Sequence, residues 1–285
     1  VDVSGETDEE GKETKDYNPV KDIEMLENEL DMWYYQILTK VWRSFAKKVE
    51  STKKDFSKAI VEQFSGLKVR EEDVKTVVLK GNYKVENPNQ WSEEEIKNFG
   101  HDLKHLTKPM IIAANKSDKE KSKENIEKIK QKYPQLEVVA CSADYELALR
   151  EANNTGLIEY VPGENDFEIK KDISEKQKQA LNTIKQKVLE KNKTTGVQKV
   201  LNTVVFKLLK YIAVFPAGQK LTDSKGNILP DCFLLPNNST AQDFAYHLHT
   251  DIGDNFVKAI DIRTKQAVGK EHKLKNRDGI EILTR

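Results

Sequence analysis

The sequence predicts an α/β fold that is combined with a helical insertion and a small α+β module. Two apolar runs, each ending in a polar loop and separated by a helical stretch, are typical of a parallel α/β unit. The apolar side chains ahead of them recur every three or four positions, which indicates helices. We expect residues 1–21 and 107–205 to form the α/β part, residues 22–106 the insertion, and residues 206–285 the α+β module.

Composition narrows the classes of function. The 285 residues are 33% charged and 37% hydrophobic, with 47 basic and 47 acidic side chains. Because the formal net charge is zero, any nucleic-acid contact must come from a local basic patch. No apolar run has membrane-spanning length, so no membrane association is expected. Cys141 and Cys232 lie far apart without metal-ligand spacing, and both are expected to be reduced core residues of a cytoplasmic protein.

The helical insertion is read from its apolar periodicity. Residues 6–20 are acidic, have few apolar anchors and are expected to form a mobile loop. One amphipathic helix of about seven turns is predicted between Asp22 and Phe45. Further helices are predicted over residues 53–64 with Gly66 as the terminating glycine, over 71–79, and over 92–106, where Ser92-Glu93-Glu94-Glu95 forms a capping box.

Strands and helices then alternate until the period changes near Tyr211. Strands are predicted over residues 110–114 and 136–141, with a helix between them and helices over 146–152, 174–191 and 197–210. Further strands are predicted over 211–215, 228–235, 259–263 and 281–283, with a helix over 239–249. One helix crossing a mixed sheet in so short a span favours a ubiquitin-like β-grasp module. Pro230 would restrict its strand to a sheet edge.

The first apolar strand delivers the string Asn115-Lys116-Ser117-Asp118 into a loop. The carboxylate of Asp118 can accept hydrogen bonds from the N1–H and the exocyclic amine of guanine, an edge that adenine does not present. The amide of Asn115 can donate and accept, and the stem of Lys116 can lie along one face of the base. This string therefore predicts guanine recognition.

The second strand ends in Ser142-Ala143-Asp144. In this arrangement the backbone N–H near Ala143 would face the O6 atom of guanine, and Ser142 would brace the carboxylate of Asp118. Two such loops at the carboxyl ends of neighbouring strands form one binding edge. Together they are a much more specific signal for guanine than either loop alone.

A phosphate-binding motif is missing from this pattern. The segment from Gly5 to Lys12 has one residue too many between its glycines, and its four acidic side chains would repel phosphate. The string Asp2-Val3-Ser4-Gly5 fits D-x-x-G superficially but is expected to mark the end of a strand. We therefore expect the chain to be the later part of a longer protein whose phosphate loop precedes Val1.

Several segments in this order resemble the archaeal form of the YchF subfamily of Obg-related (TRAFAC) translational GTPases. The resemblance covers essentially the whole chain. It rests on Val1–Gly5 with the acidic string Thr7-Asp8-Glu9-Glu10-Gly11, Ile23–Glu29, Ile111–Asp118, Ser142-Ala143, and three segments that look like a TGS domain: Leu221-Thr222-Asp223, Asp231–Pro236 and His249–Gly253.

The resemblance implies a P-loop GTPase domain with a helical insertion and a C-terminal TGS domain, acting in translation near the ribosome. It implies that Asn115, Lys116 and Asp118, with the loop Ser142-Ala143-Asp144, bind GTP or GDP, and that the protein ligands of Mg²⁺ lie outside this chain. Many bacterial and eukaryotic relatives have lost N-K-x-D and prefer ATP, whereas Asp118 argues for guanine here. Asp144 stands where the family has Lys, which argues against a cationic base contact.

Two functions stay open at this point. The intact protein is either a GTPase to which this chain supplies guanine recognition, or a non-catalytic adaptor that binds the ribosome or rRNA through the insertion and the TGS region. No catalytic or metal-binding residue is predicted in the chain, since His247 and His249 would point to different sides of a helix. The sequence does not specify an oligomeric state.

Overall fold

The computed structural model describes residues 1–216 and 231–285, which divide into two compact units, Val1–Val197 and Gln198–Arg285. The structure is mixed α/β. Within the described residues, no helix is both long and apolar enough to cross a membrane. The strand expected over residues 228–235 and the segment Leu221-Thr222-Asp223 fall wholly or partly on residues 217–230, outside the described part.

Five helices form the helical block of the first unit. They are α1 (Val20–Thr39), α2 (Trp42–Thr52), α3 (Phe56–Gln63), α4 (Glu71–Gly81) and α5 (Glu93–Thr107), with 3₁₀ turns at Ser65–Leu67 and Pro88–Gln90. Their core is aromatic: Trp42 contacts Phe56 and Trp91, with ring centroids 6.4 and 5.1 Å away. The predicted capping box is present, since Ser92 accepts from the N–H of Glu95 and the carboxylate of Glu95 accepts from the N–H of Ser92.

The prediction of a single helix between Asp22 and Phe45 is wrong, because the first helix ends at Thr39. Val41 leaves the helical region (φ −126°, ψ 4°), and the new axis turns Trp42 and Phe45 into the aromatic core. The following helix starts at Phe56 rather than at residue 53, because Lys53 is left-handed and Asp55 caps the N–H of Lys58. Gly66 lies in a 3₁₀ turn, and the left-handed position after it is occupied by Lys68.

One buried cation joins α1 to α5. The ammonium of Lys104, 1% exposed, lies 2.5 Å from Glu27 and 2.9 Å from Asp31. Burial opposes its charge, but the two carboxylates outweigh burial and raise the pKa of Lys104. Removing either partner of such a pair strands the other charge, so this contact specifies how the two helices pack.

The α/β part follows the helical block. Strand β1 (Ile111–Ala114) pairs in parallel with β2 (Glu137–Ala140), and α6 (Ser122–Lys132) connects them. Residues 1–3 extend this edge, since the N–H of Asn115 donates to the carbonyl of Val1 at 2.8 Å and the N–H of Val3 donates to the carbonyl of Asn115 at 3.0 Å. The apolar side chains of β1 and α6 pack together in a core that includes Val3, Ile112 and Ile129.

The acidic stretch expected to be a mobile loop holds specific hydrogen bonds. Thr7 and Glu13 form an antiparallel β-bridge, and the N–H of Thr14 donates to the carbonyl of Glu6 at 2.9 Å. Gly5 begins the segment with φ +72°, and a Cβ there would lie 3.1 Å from the carbonyl oxygen of Tyr17. We call residues 6–16 the acidic hairpin. Its backbone is folded on itself, although its side chains are charged.

The first unit closes with α7 (Ala143–Asn154), the short antiparallel strands β3 (Ile158–Glu159) and β4 (Glu168–Ile169), and α8 (Glu175–Ile184). A π-helical turn (Lys185–Leu189) leads from α8 to α9 (Glu190–Asn192). Ser174 and Gln177 form the predicted capping box of α8. The helix over residues 174–191 is therefore confirmed, and it places Leu181, Ile184 and Leu189 against Leu149 of α7.

The second unit is an α+β module with the β-grasp topology. It contains α10 (Val197–Asn202, beginning at the unit boundary) with a π-helical turn (Thr203–Leu208), β5 (Tyr211–Pro216), β6 (Phe233–Pro236), α11 (Ala241–Leu248), α12 (Thr250–Asp254), β7 (Phe256–Asp261), β8 (Gln266–Val268) and β9 (Asp278–Thr284). The strand order is β6-β5-β9-β7-β8, with β5 and β9 parallel at the centre. Phe244 of α11 is fully buried against Val214 and Ile280 on one sheet face.

The two cysteines differ in environment. Cys141 is buried after β2, as expected, and burial raises the pKa of its thiol. The expectation for Cys232 is wrong: it is exposed, because it precedes the edge strand β6 instead of lying inside the sheet. Both cysteines are free thiols.

Candidate functional site

The two predicted loops meet in one cleft at the carboxyl ends of β1 and β2. The cleft has a volume of about 270 Å³ and is lined by Asn115, Lys116, Asp118, Lys119, Ser142, Ala143, Asp144 and Tyr145. All six residues predicted to bind nucleotide are in this set. They converge because parallel pairing aligns Ala114 with Ala140, so that both strands deliver their loops to the same sheet edge.

Asn115 joins the two loops directly. Its side-chain oxygen accepts the N–H of Ala143 at 3.0 Å, and its backbone N–H is held by the carbonyl of Val1. The N–H expected to face guanine O6 is therefore engaged with Asn115 here. Within the described residues, the carboxylate of Asp118 has neither a hydrogen bond nor an ion pair. The carboxylate of Asp144, which also lines the cleft, likewise has no hydrogen bond or ion pair among the described residues.

Lys116 adopts a left-handed backbone conformation, with φ +60°. Its ammonium lies 2.7 Å from Oδ2 of Asp2, a residue that sequence reasoning did not assign to the site. Partial burial of Asp2 opposes its ionisation, but the bonds from Lys116, Thr7 and Ser4 outweigh burial and lower its pKa far below the usual range. The donors around Asp2 thus favour the ionised carboxylate that faces Lys116.

Ser142 does not brace Asp118 as expected. Its hydroxyl lies 3.2 Å from the hydroxyl of Ser117, and both side chains are buried. The hydroxyl of Ser122, at the start of α6, donates to the carbonyl of Ser117 at 2.8 Å. The serines fix the path of the first loop from behind, since Ser117 points into the protein while Asp118 faces the cleft.

A buried glutamate behind the second loop was also missed. Glu146, 3% exposed, accepts bonds from Thr195 at 2.5 Å, from Tyr160 at 2.8 Å and from Arg150 at 2.6 Å. Burial opposes its charge, but these donors together lower the pKa of Glu146 below its ordinary value. The carbonyl of Thr195 in turn accepts the N–H of Ser142 at 2.8 Å. Glu146 thus anchors the segment that supports Ser142.

Asp144 and Tyr145 complete the open side of the cleft. Asp144 is exposed in the first turn of α7, where the helix dipole favours a negative charge. Tyr145 is half-buried, and its pKa is raised first by burial and then by the carboxylates of Asp118 and Asp144. The described lining thus contains two carboxylates, Asp118 and Asp144, and each can accept hydrogen bonds.

Potential metal ligands do not cluster in the described residues. No group of three or more His, Cys, Asp or Glu side chains there is arranged to hold a metal ion. The ring of His247 packs edge-on against Phe233, and Nδ1 of His249 accepts the N–H of Asp251 at 3.1 Å.

Comparison with known proteins agrees with this architecture. A family model described as the Obg-like GTPase YGR210-like, G4 motif-containing domain matches residues 113–218, and the TGS domain model matches residues 211–284. Over 288 aligned residues the chain is 42% identical to an uncharacterised GTP-binding protein of Methanocaldococcus jannaschii, covering 100% of this chain and 72% of that protein. The chain belongs to the Obg-like family of GTP-binding proteins.

Solved structures show the fold of this family member. A GTP-binding protein from Pyrococcus horikoshii OT3 is 40% identical, with a TM-score of 0.78, covering 100% of this chain and 77% of that one. The YchF GTPase of Schizosaccharomyces pombe is 16% identical with a TM-score of 0.54, and the alignment covers 98% of this chain and 70% of that chain. The first family model spans both cleft loops, and the second spans the β-grasp unit.

Proposed function

We propose that this chain binds the guanine base of GTP and GDP in the cleft between its two loops. The observation that carries the proposal is the carboxylate of Asp118, which has no partner among the described residues and lies in the cleft with the other five predicted residues. A carboxylate accepts two parallel hydrogen bonds, which matches the N1–H and N2 amine of guanine. Adenine offers no such pair of donors.

The bond between Asn115 and Ala143 suggests how the base would enter. Guanine O6 would approach the N–H of Ala143, which now donates to the side-chain oxygen of Asn115. That N–H would be shared between the two acceptors, or Asn115 would turn and present its own amide to the base. In both cases the two loops stay joined, because the N–H of Ser117 donates to the carbonyl of Cys141 at 3.1 Å and the hydroxyls of Ser117 and Ser142 lie 3.2 Å apart.

We further propose that the intact protein hydrolyses GTP and acts in translation in the cytoplasm. The M. jannaschii relative is named a GTP-binding protein and is longer than this chain. In-line attack by water on the γ-phosphate requires groups that position the phosphates and Mg²⁺ and neutralise developing charge. In this proposal the cleft provides the base contacts of the nucleotide.

A nucleotide titration tests the proposal for the base. We expect GDP to shift the backbone amide resonances of Asn115–Asp118 and Ser142–Asp144 in ¹H–¹⁵N spectra, whereas ADP at the same concentration leaves them in place. Binding should be weak, with a dissociation constant of about 1 mM, because base contacts alone supply only a few favourable interactions. Equal responses to GDP and ADP would contradict guanine recognition. Sub-micromolar GDP binding would contradict the restriction to base contacts.

The second candidate function, an adaptor that binds rRNA, is supported by the charge of α2 and its flanks. Six cations between residues 40 and 58 have no ion pair within the described residues: Lys40, Arg43, Lys47, Lys48, Lys53 and Lys58. Arg43, Lys47 and Lys48 are exposed on the side of α2 opposite Trp42 and Phe45, which face the core. Such a face can contact a phosphate backbone.

Salt dependence tests this surface. Changing Arg43, Lys47 and Lys48 together to Gln should weaken binding to a ribosomal RNA fragment. It should also flatten the slope of log K against log salt by about 2, since each lost phosphate contact to a single strand removes roughly 0.7. A matched triple change to Gln at Lys97, Lys123 and Lys176, which are exposed and have no ion pair among the described residues, should leave the slope unaltered. Equal losses in both variants would argue against the α2 surface.

A further inference from the structure

Among the cleft residues, Lys116 has a partner that lies outside both loops of the cleft. Its ammonium is held at 2.7 Å by Oδ2 of Asp2, which lies across a parallel bridge from Asn115. We propose that Asp2 is a positioning residue, which fixes Lys116 at one wall of the cleft before the base binds. This proposal rests on the proposed guanine site.

The carboxylate of Asp2 is itself rigidly held. Its Oδ1 accepts the N–H of Ser4 at 2.9 Å, and its Oδ2 accepts the hydroxyl of Thr7 at 2.5 Å in addition to Lys116. The side chain is 21% exposed, and the backbone of its two neighbours is hydrogen-bonded to Ala113 and Asn115. Because backbone and side chain are both constrained, Asp2 offers Lys116 a single location.

A fixed position of the Lys116 ammonium would favour binding of the base. A lysine side chain has four rotatable bonds, and it loses much of its rotamer freedom when it packs on a ligand. Tying the ammonium to Asp2 removes part of that freedom in advance, which lowers the cost of binding. The left-handed backbone of Lys116 and the bond to Asp2 together determine where the stem lies, and the stem is the part that would cover the base.

Two other ion pairs link the acidic hairpin to the same loop, and they provide a comparison. Glu6 lies 2.8 Å from Lys119, and Asp16 pairs with Lys121. The side chains of Asp16 and Lys121 are 70% and 54% exposed, against 21% and 35% for Asp2 and Lys116. Solvent screens the outer pairs, so they contribute little to positioning. Asp16→Asn is therefore a matched control, since it makes the same chemical change in an exposed pair.

Asp2→Asn tests the proposal because it keeps the shape of the side chain and removes the charge opposite Lys116. In amide-shift titrations of the 285-residue chain with GDP, we expect about fivefold to tenfold weaker binding, the usual scale for losing one charge-assisted contact. Lys116→Met should lose a similar factor. The double variant should bind no more weakly than Lys116→Met alone, because Asp2 acts through Lys116. Asp16→Asn should match the wild type.

Each result has a definite meaning. If GDP binding in the double variant falls by the product of the two single-variant factors, the positioning role is overturned. A general loss of structure would produce that result, because it acts independently of Lys116. Unchanged GDP affinity in Asp2→Asn, with ADP still excluded, would overturn the role while leaving guanine recognition intact. If the wild type responds equally to GDP and ADP, the guanine site fails and this proposal fails with it. A ¹³C titration of the Asp2 carboxylate in Lys116→Met, without nucleotide, should show its pKa rising.

Discussion

Asp118→Asn is expected to exchange guanine for xanthine as the preferred base. An asparagine presents one acceptor and one donor, so it repels one of the two guanine donors but can donate to the carbonyl that xanthine has at that position. Losing two charge-assisted bonds of about 1.5–3 kcal/mol each corresponds to roughly 10²–10⁴-fold weaker guanine binding. In the chain, GDP-induced amide shifts should disappear and XDP-induced shifts should replace them.

The control for this variant lies in the same loop. Glu120 is exposed and, within the described residues, has no ion pair, so Glu120→Gln removes an equal charge two residues away without touching the cleft lining. GDP binding should persist in Glu120→Gln. Retention of GDP binding by Asp118→Asn would remove Asp118 from the site, and loss of binding in both variants would point to general electrostatics instead of base recognition.

Gly196→Ala is expected to have the largest effect on stability. Gly196 has φ +84°, and a Cβ there would lie 2.1 Å from the carbonyl oxygen of Ala140 and 2.8 Å from Cα of Cys141. Neither neighbour can move easily, because both belong to the backbone at the end of β2. Steric displacement plus a left-handed conformation should reduce the free energy of unfolding by about 3 kcal/mol or more.

The displacement should also reach the cleft. The residue before Gly196, Thr195, accepts the N–H of Ser142, so moving this segment frees the second loop. Urea unfolding followed by circular dichroism measures the stability, and amide shifts of Ser142 and Ala143 report the loop. The matched control is Gly66→Ala, where a Cβ meets no atom within 4 Å and stability should be unchanged or slightly higher. Equal midpoints for the two variants would refute the steric account.

Local patterns predicted those parts of the fold that depend on neighbours in sequence. The capping boxes at Ser92 and Ser174 and the strand at Tyr211 rest on nearby residues or a short period, and all three are present. The helix break at Val41 was missed because the apolar periodicity continues across it. The direction of α2 is instead decided by the tertiary packing of Trp42. The missed contacts of the site, Asp2 with Lys116 and Glu146 with Thr195, join residues 114 and 49 positions apart. A pattern along the chain contains no information on such pairs.

The aromatic core of the helical block has an optical consequence. The three tryptophans of the chain, Trp33, Trp42 and Trp91, all lie in this block, and none lines the cleft or belongs to the β-grasp unit. Trp42 and Trp91 are 4% and 8% exposed, so their emission should shift to longer wavelength when that core opens. Tryptophan fluorescence therefore reports on the helical block alone, whereas circular dichroism reports on the whole chain. Comparing the two signals during unfolding reveals whether the insertion melts by itself.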